Sequence, residues 1–104
     1  MANGNIREIR KVFIHDLQYK IEFEKGVIRV GATERAIQQK AREYELEGYS
    51  GIMFYAEATN INSAENALTK LASENKAGIH NVHRNSNVGN ESGYVYIIQG
   101  KKFN

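Results

Sequence analysis

The apolar residues of this 104-residue chain change their spacing at Gly31, and that change restricts the fold more than any other sequence feature. Before it, Tyr19, Ile21 and Phe23 alternate with Lys20, Glu22 and Glu24. A period of two is that of a strand with one buried face. Lys11 to His15 is rich in β-formers and ends at the turn residue Asp16. Glu24-Lys25-Gly26 makes a turn, and Val27 to Val30 forms the returning strand. Ile6 to Gly31 is therefore expected to be an antiparallel meander of three short strands. After Gly31 the spacing becomes helical. Ile37, Ala41 and Tyr44 fall at i, i+4 and i+7, backed by Gln38, Lys40, Arg42 and Glu43. Thr33 is the expected N-cap, Glu34 lies in the first turn, and Gly48 closes the helix.

Ile52 to Ala56 is a continuous apolar run too short for a typical helix, which predicts a central strand. A second helix is expected from Asn62 or Ser63, with Asn62 and Glu65 spaced like a capping box. Ala64, Ala67, Leu68, Leu71 and Ala72 supply its buried face, and Asn75 to Gly78 ends it. Ile79 to His83 reads as a short strand or extended turn, and Arg84 to Gly93 as a polar loop. Gly93 to Gln99 is the last strand, and Lys101 to Asn104 a tail. No repeat or linker interrupts the chain. Residues 1–104 are expected to form a single α+β domain, a mostly antiparallel sheet carrying two helices.

Composition narrows the functional classes. A hydrophobic share of 41% and a charged share of 25% are those of a globular protein. The absence of cysteine rules out disulfides and thiolate metal sites. Met1 to Asn5 is polar, and no segment approaches the ~20 apolar residues of a membrane span, so the expected compartment is the cytoplasm, with no membrane partner. Net charge is +2 and evenly spread: nine Lys/Arg against eight Asp/Glu in residues 1–50, five against four in residues 51–104. A protein that grips a long duplex usually carries a larger basic excess, because phosphate neutralisation supplies most of the affinity. A nucleotide or a single strand suits this charge better than duplex DNA.

Leu17-Gln18-Tyr19, followed by Val27-Ile28-Arg29-Val30-Gly31-Ala32, resembles the paired strands that name the GIY-YIG nucleases. Tyr19 matches the first tyrosine of that pair, and Val30-Gly31 the end of the second motif; Arg29 stands where the second tyrosine falls. The following helix, strand and helix appear in the family's order, and Gly78 to Val82, with Asn81, resembles its closing motif. The resemblance covers residues 17 to 82, with the C-terminal strand outside it. It implies a GIY-YIG-like core, in which a tyrosine positions water, a helical arginine stabilises phosphate and a glutamate holds one divalent cation. Gln39 occupies the arginine position, with Arg42 one turn later, and Thr69 or Leu71 occupies the glutamate position. Without that carboxylate a metal has no anionic ligand. The implied protein is thus a binder more than a cutter, without a cofactor; Mg²⁺ enters only if the nuclease alternative holds.

The candidate ligand-binding residues are Tyr19, Arg29, Gly31, Arg42, Asn81, His83 and Arg84, with no catalytic or metal set. Tyr19 is either a core-facing aromatic or a site residue. Gly31 either permits a tight strand-to-helix turn or lets a ligand approach. Arg29 flanks a helix N-terminus, where a guanidinium and free N–H groups together suit an anion; its alternative is a cross-strand partnership with Glu22 or Glu24. Arg42 joins it in the anion hypothesis, and otherwise belongs to a solvated face with Arg35 and Lys40. Asn81, His83 and Arg84 would line one wall of a polar pocket, or an ordinary surface loop. His80 and His83 point apart in an extended segment, which argues against a metal site. The expected function is non-catalytic binding of a nucleotide or nucleic acid strand, in keeping with a mobile-element sequestering or inhibitor protein. One alternative is a metal-dependent endonuclease in which Glu65 or Glu74 replaces the missing ligand. Another is a protein-interaction module or homodimer using Tyr94 and Tyr96.

Overall fold

A computed structural model describes residues 3–24, 26–75 and 89–103. The element order is β1 (Ile6–Lys11), α1 (Ile14–Phe23), β2 (Val27–Thr33), α2 (Ile37–Leu46), β3 (Gly51–Ala58), α3 (Ile61–Glu74) and β4 (Gly93–Gln99). The sheet order is β1-β3-β4-β2. β3 runs parallel to β1 and antiparallel to β4, and β2 runs antiparallel to β4. The α+β class stands, but among the described residues the sheet is mixed and carries three helices. The expected N-terminal meander is not formed: β1 and β2 are opposite edges of the sheet, joined by a helix.

That helix is the main correction. Leu17, Tyr19, Ile21 and Phe23 satisfy a period of two, but they also form two pairs spaced four apart. On α1, Leu17 and Ile21 are fully buried, whereas Tyr19 and Phe23 are 55% and 65% exposed and pack on each other with centroids 5.0 Å apart. Alternation over four positions is equally a helix with one buried and one exposed i,i+4 row. Both helix ends are secured by polar groups. The Asp16 carboxylate accepts from the Phe13 N–H at 3.1 Å, and the Asn75 side-chain amide donates to the carbonyls of Ile21 and Glu22. Those carbonyls have no partner inside a helix end, and Asn75 lies more than fifty residues away in the chain.

Two clusters form the core, one on each face of the sheet. α1 and α3 cover the first, which joins Leu17, Ile21, Ile61 and Leu68 to Val30, Ala32, Phe54, Val95 and Ile97. α2 covers the second, which joins Ile37, Ala41 and Tyr44 to Ile28, Met53, Tyr96 and Ile98. β3 and β4 are the central strands and bury residues on both faces, matching the apolar runs at Ile52 to Ala56 and Val95 to Ile98. α3 begins earlier than its sequence signal. Asn60 is the N-cap, its side-chain oxygen accepting from Ser63 N–H at 3.0 Å, and Glu65 is wholly buried instead of closing a capping box. Thr33 is no N-cap either: it ends β2 and accepts from Arg35 N–H at 3.0 Å. The expected tail is pinned by a Tyr49–Lys102 bridge and by the Phe103 N–H on the Gly48 carbonyl at 2.7 Å. No described helix is long and apolar enough to cross a membrane.

Candidate anion-binding site

Arg29 leaves β2 on the sheet face that α2 covers, and it enters a cluster of three tyrosines. Its Nε donates to the Tyr44 hydroxyl at 3.3 Å, and its guanidinium carbon lies 5.4 Å from the centre of the Tyr44 ring. The Tyr44 and Tyr96 hydroxyls share a hydrogen bond of 2.6 Å. The Tyr44 ring meets Tyr49 and Tyr96 edge-on, with centroids 5.1 and 5.7 Å apart. All three rings are buried, and Arg29 is half-buried beside them.

Each part of the cluster has a local cause. Tyr44 continues the Ile37–Ala41 stripe of α2 toward the sheet. Tyr49 follows Gly48, whose φ of +99° turns the chain out of the helix, a conformation that glycine adopts without a Cβ penalty. Tyr96 is the register partner of Gly31 across β4 and β2. A Cβ on residue 31 would lie 2.5 and 2.8 Å from Cζ and Cε1 of the Tyr96 ring. Gly31 lies inside β2 rather than in a tight turn, and a tyrosine ring rests on its backbone where a side chain would stand. Tyr96 is not the exposed aromatic that a partner surface needs, since it is fully buried, and Tyr94 is half-buried edge-on to Tyr55 at 5.5 Å.

Half-burial sets Arg29 apart from the exposed cations that also lack an ion pair among the described residues, such as Arg7, Arg42 and Lys70. Arg10, Lys11, Lys20 and Lys40 each have a carboxylate within salt-bridge distance. Among the described residues Arg29 has none: Glu22 and Glu24 belong to α1 or its end, on the opposite face. Burial opposes the charge on Arg29, but the oxygens of Tyr44, Tyr49 and Tyr96 together outweigh it, so its pKa rises and the guanidinium stays charged. Burial raises the Tyr96 hydroxyl far above the usual phenol range, and neighbouring Tyr44 adds to the effect. Burial likewise raises Tyr49, with Arg29 pulling the other way. The Tyr49 and Tyr96 phenols are therefore neutral hydrogen-bonding groups at physiological pH.

Two lysines approach the same rings. Lys40 Nζ lies 5.8 Å from the centre of Tyr44, and Lys102 Nζ lies 4.9 Å from the centre of Tyr49. Glu43 lies 3.7 Å from Lys40, and Glu47 acts on Tyr49. Three cations thus lie against two touching rings, and among the described residues only Lys40 has a carboxylate within salt-bridge distance.

The remaining sequence candidates do not join them. Tyr19 sits on α1 beyond the opposite face of the sheet, and is exposed instead of core-facing. Arg42 is on α2 but turned outward and exposed. Asn81, His83 and Arg84, with the Arg84 to Val88 part of the polar loop, lie outside the described residues. Tyr44, Tyr49 and Lys102 carried no site signal in the sequence, and Tyr96 was read only toward a partner surface, because a buried tyrosine looks there like any other core residue. Glu65 is wholly buried and Glu74 exposed at the end of α3. No three His, Asp or Glu side chains among the described residues are close enough together to hold a metal ion. A separate cleft of about 600 Å³ lies between Glu34, Glu57, Thr59 and Tyr94. No protein-family model, curated protein or solved structure matches the chain.

Proposed function

We propose that the chain is a non-catalytic binding domain for a nucleotide or a nucleic acid strand, held through phosphate at Arg29. The observation that carries this is a half-buried guanidinium without a carboxylate partner among the described residues, set against tyrosine rings that Lys40 and Lys102 also approach. Burying a charge is costly unless it is paired, and a phosphate group supplies the missing partner through strong, charge-assisted hydrogen bonds. Three cations also suit a small footprint, in line with a net charge of only +2. A sequestering or inhibitory role in a mobile element fits such a binder.

The endonuclease alternative fares worse. It needs Tyr19, Arg42 and a carboxylate in one place, whereas α1 and α2 pack on opposite faces of the sheet. The order strand, helix, strand, helix from Val27 to Glu74 supports a GIY-YIG-like arrangement for that part of the chain. The helical conformation of Leu17-Gln18-Tyr19 speaks against the first half of the motif pair.

A thermal-shift panel of mono- and dinucleotides, cyclic nucleotides and short single strands tests the proposal. A ligand at a hundred times its Kd adds ~2.7 kcal/mol, a shift of several degrees for a domain of this size. The expected result is a shift that Arg29→Gln abolishes. No shift with any nucleotide or strand, in wild type as in the variant, sinks the proposal.

A further inference from the structure

The arrangement of cations and rings around Arg29 indicates which part of a nucleotide the site accepts. We infer that it is a phosphate seat that does not read the base, with Tyr44 as the residue that orients Arg29. This rests on the proposed nucleotide or strand ligand and goes on to specify its recognised group.

Base recognition by protein aromatics needs an open ring face on which a base can stack. Tyr44, Tyr49 and Tyr96 offer none. All three are buried, Tyr44 meets both others edge-on, and the cations Arg29, Lys40 and Lys102 lie within 6 Å of the ring centres of Tyr44 or Tyr49. The rings serve the cations, as hydrophobic surfaces against which charged heads are held by cation–π attraction. What the cluster presents outward is therefore charge.

Two tyrosine hydroxyls hold the Arg29 guanidinium: its Nε donates to Tyr44, and Tyr49 accepts a further hydrogen bond from it. A guanidinium fixed in this way presents its remaining N–H donors to phosphate oxygens. The Tyr44 hydroxyl is in turn fixed by Tyr96, which rests on Gly31. The sequence thus places a backbone position without a side chain, a buried tyrosine pair and one arginine in a single chain of contacts that ends at a fixed guanidinium.

The decisive experiment is a competition titration. A fluorescent single-stranded oligonucleotide is displaced from the full chain at low salt by the four common nucleoside monophosphates, by the matching nucleosides and by inorganic pyrophosphate. Displacement by all four monophosphates within ~3-fold of one another, by pyrophosphate, and by no nucleoside is the expected pattern. Tyr44→Phe, which keeps the ring and removes the hydroxyl, should weaken every phosphate ligand by ~5-fold or more, as should Arg29→Lys, which keeps the charge. A purely structural role for Tyr44 would instead lower stability and leave these displacement constants unmoved, which refutes the orienting role. Displacement by nucleosides, or a preference of ~10-fold or more for one base, overturns the phosphate seat while leaving the nucleotide binder standing. If the oligonucleotide does not bind wild type at all, the underlying proposal fails first.

Discussion

Replacing Gly31 with alanine inserts a methyl group into space that the Tyr96 ring already fills. The new carbon would stand 2.5 and 2.8 Å from two ring carbons, and nearer still to the hydroxyl. Tyr96 is fully buried, so its ring cannot swing into solvent; it must shift against Tyr44 or push β2 from β4. Forcing a methyl group into a packed core costs ~1–3 kcal/mol. Displacing the ring also strains or breaks the 2.6 Å bond between the Tyr44 and Tyr96 hydroxyls, a further ~0.5–1.5 kcal/mol. The sum of ~1.5–4.5 kcal/mol is a large part of the ~5–15 kcal/mol that holds a typical domain together. Urea denaturation followed by far-UV circular dichroism should show a lower midpoint with an unchanged slope. Tyr96→Leu shortens the side chain that the methyl group meets. Combined with Gly31→Ala it should cost less than the two single changes together, by ~1 kcal/mol or more. A Gly31→Ala variant within ~0.5 kcal/mol of wild type would refute the close approach of Tyr96 as the reason for this glycine.

Other changes probe the remaining contacts. Asn75→Ala removes the amide that caps the carbonyls of Ile21 and Glu22, and should cost ~1 kcal/mol, with amide exchange accelerated at the C-terminal end of α1. Asn60→Ala should lose ~1 kcal/mol by chemical denaturation, and Asn60→Ser much less, since serine still caps the α3 N-terminus. Glu34 has a raised pKa, chiefly from a hydrogen bond to the Glu91 carboxyl, with Arg35 acting in the opposite direction. A raised acid binds its proton more tightly when folded. Its contribution is therefore complete below the ordinary glutamate pKa and fades as pH rises through the raised value. The melting temperature of wild type should fall over that window relative to Glu34→Gln, and parallel profiles would contradict the pairing.

The sequence made some elements plain and hid others for definable reasons. β3, β4 and α2 were legible because their apolar residues fit one period only. α1 was not, because Leu17, Tyr19, Ile21 and Phe23 fit two periods at once, and its end is stabilised by Asn75, a partner far away in the chain. Sheet order was hidden likewise: β1 pairs with β3 across a helix, a strand and another helix, and no local signal records that pairing. Within the candidate site Arg29 stood out as a cation inside an apolar strand. Gly31 stood out too, but for a role the structure replaces with contact to Tyr96. Tyr44, Tyr49 and Lys102 were silent, since a tyrosine on a helical stripe reads as core and a lysine near the end as tail. Only the sheet register and the Tyr49–Lys102 bridge bring them to Arg29.

Nuclear magnetic resonance titration of the labelled protein with a short single-stranded oligonucleotide at low salt tests the central claim most directly. The backbone amides of Arg29, Lys40, Tyr49 and Lys102 should move together, return as salt is added, and stay still in Arg29→Gln. Shifts confined to α1 and β1, or shifts unaffected by Arg29→Gln, would contradict an anion site at this arginine.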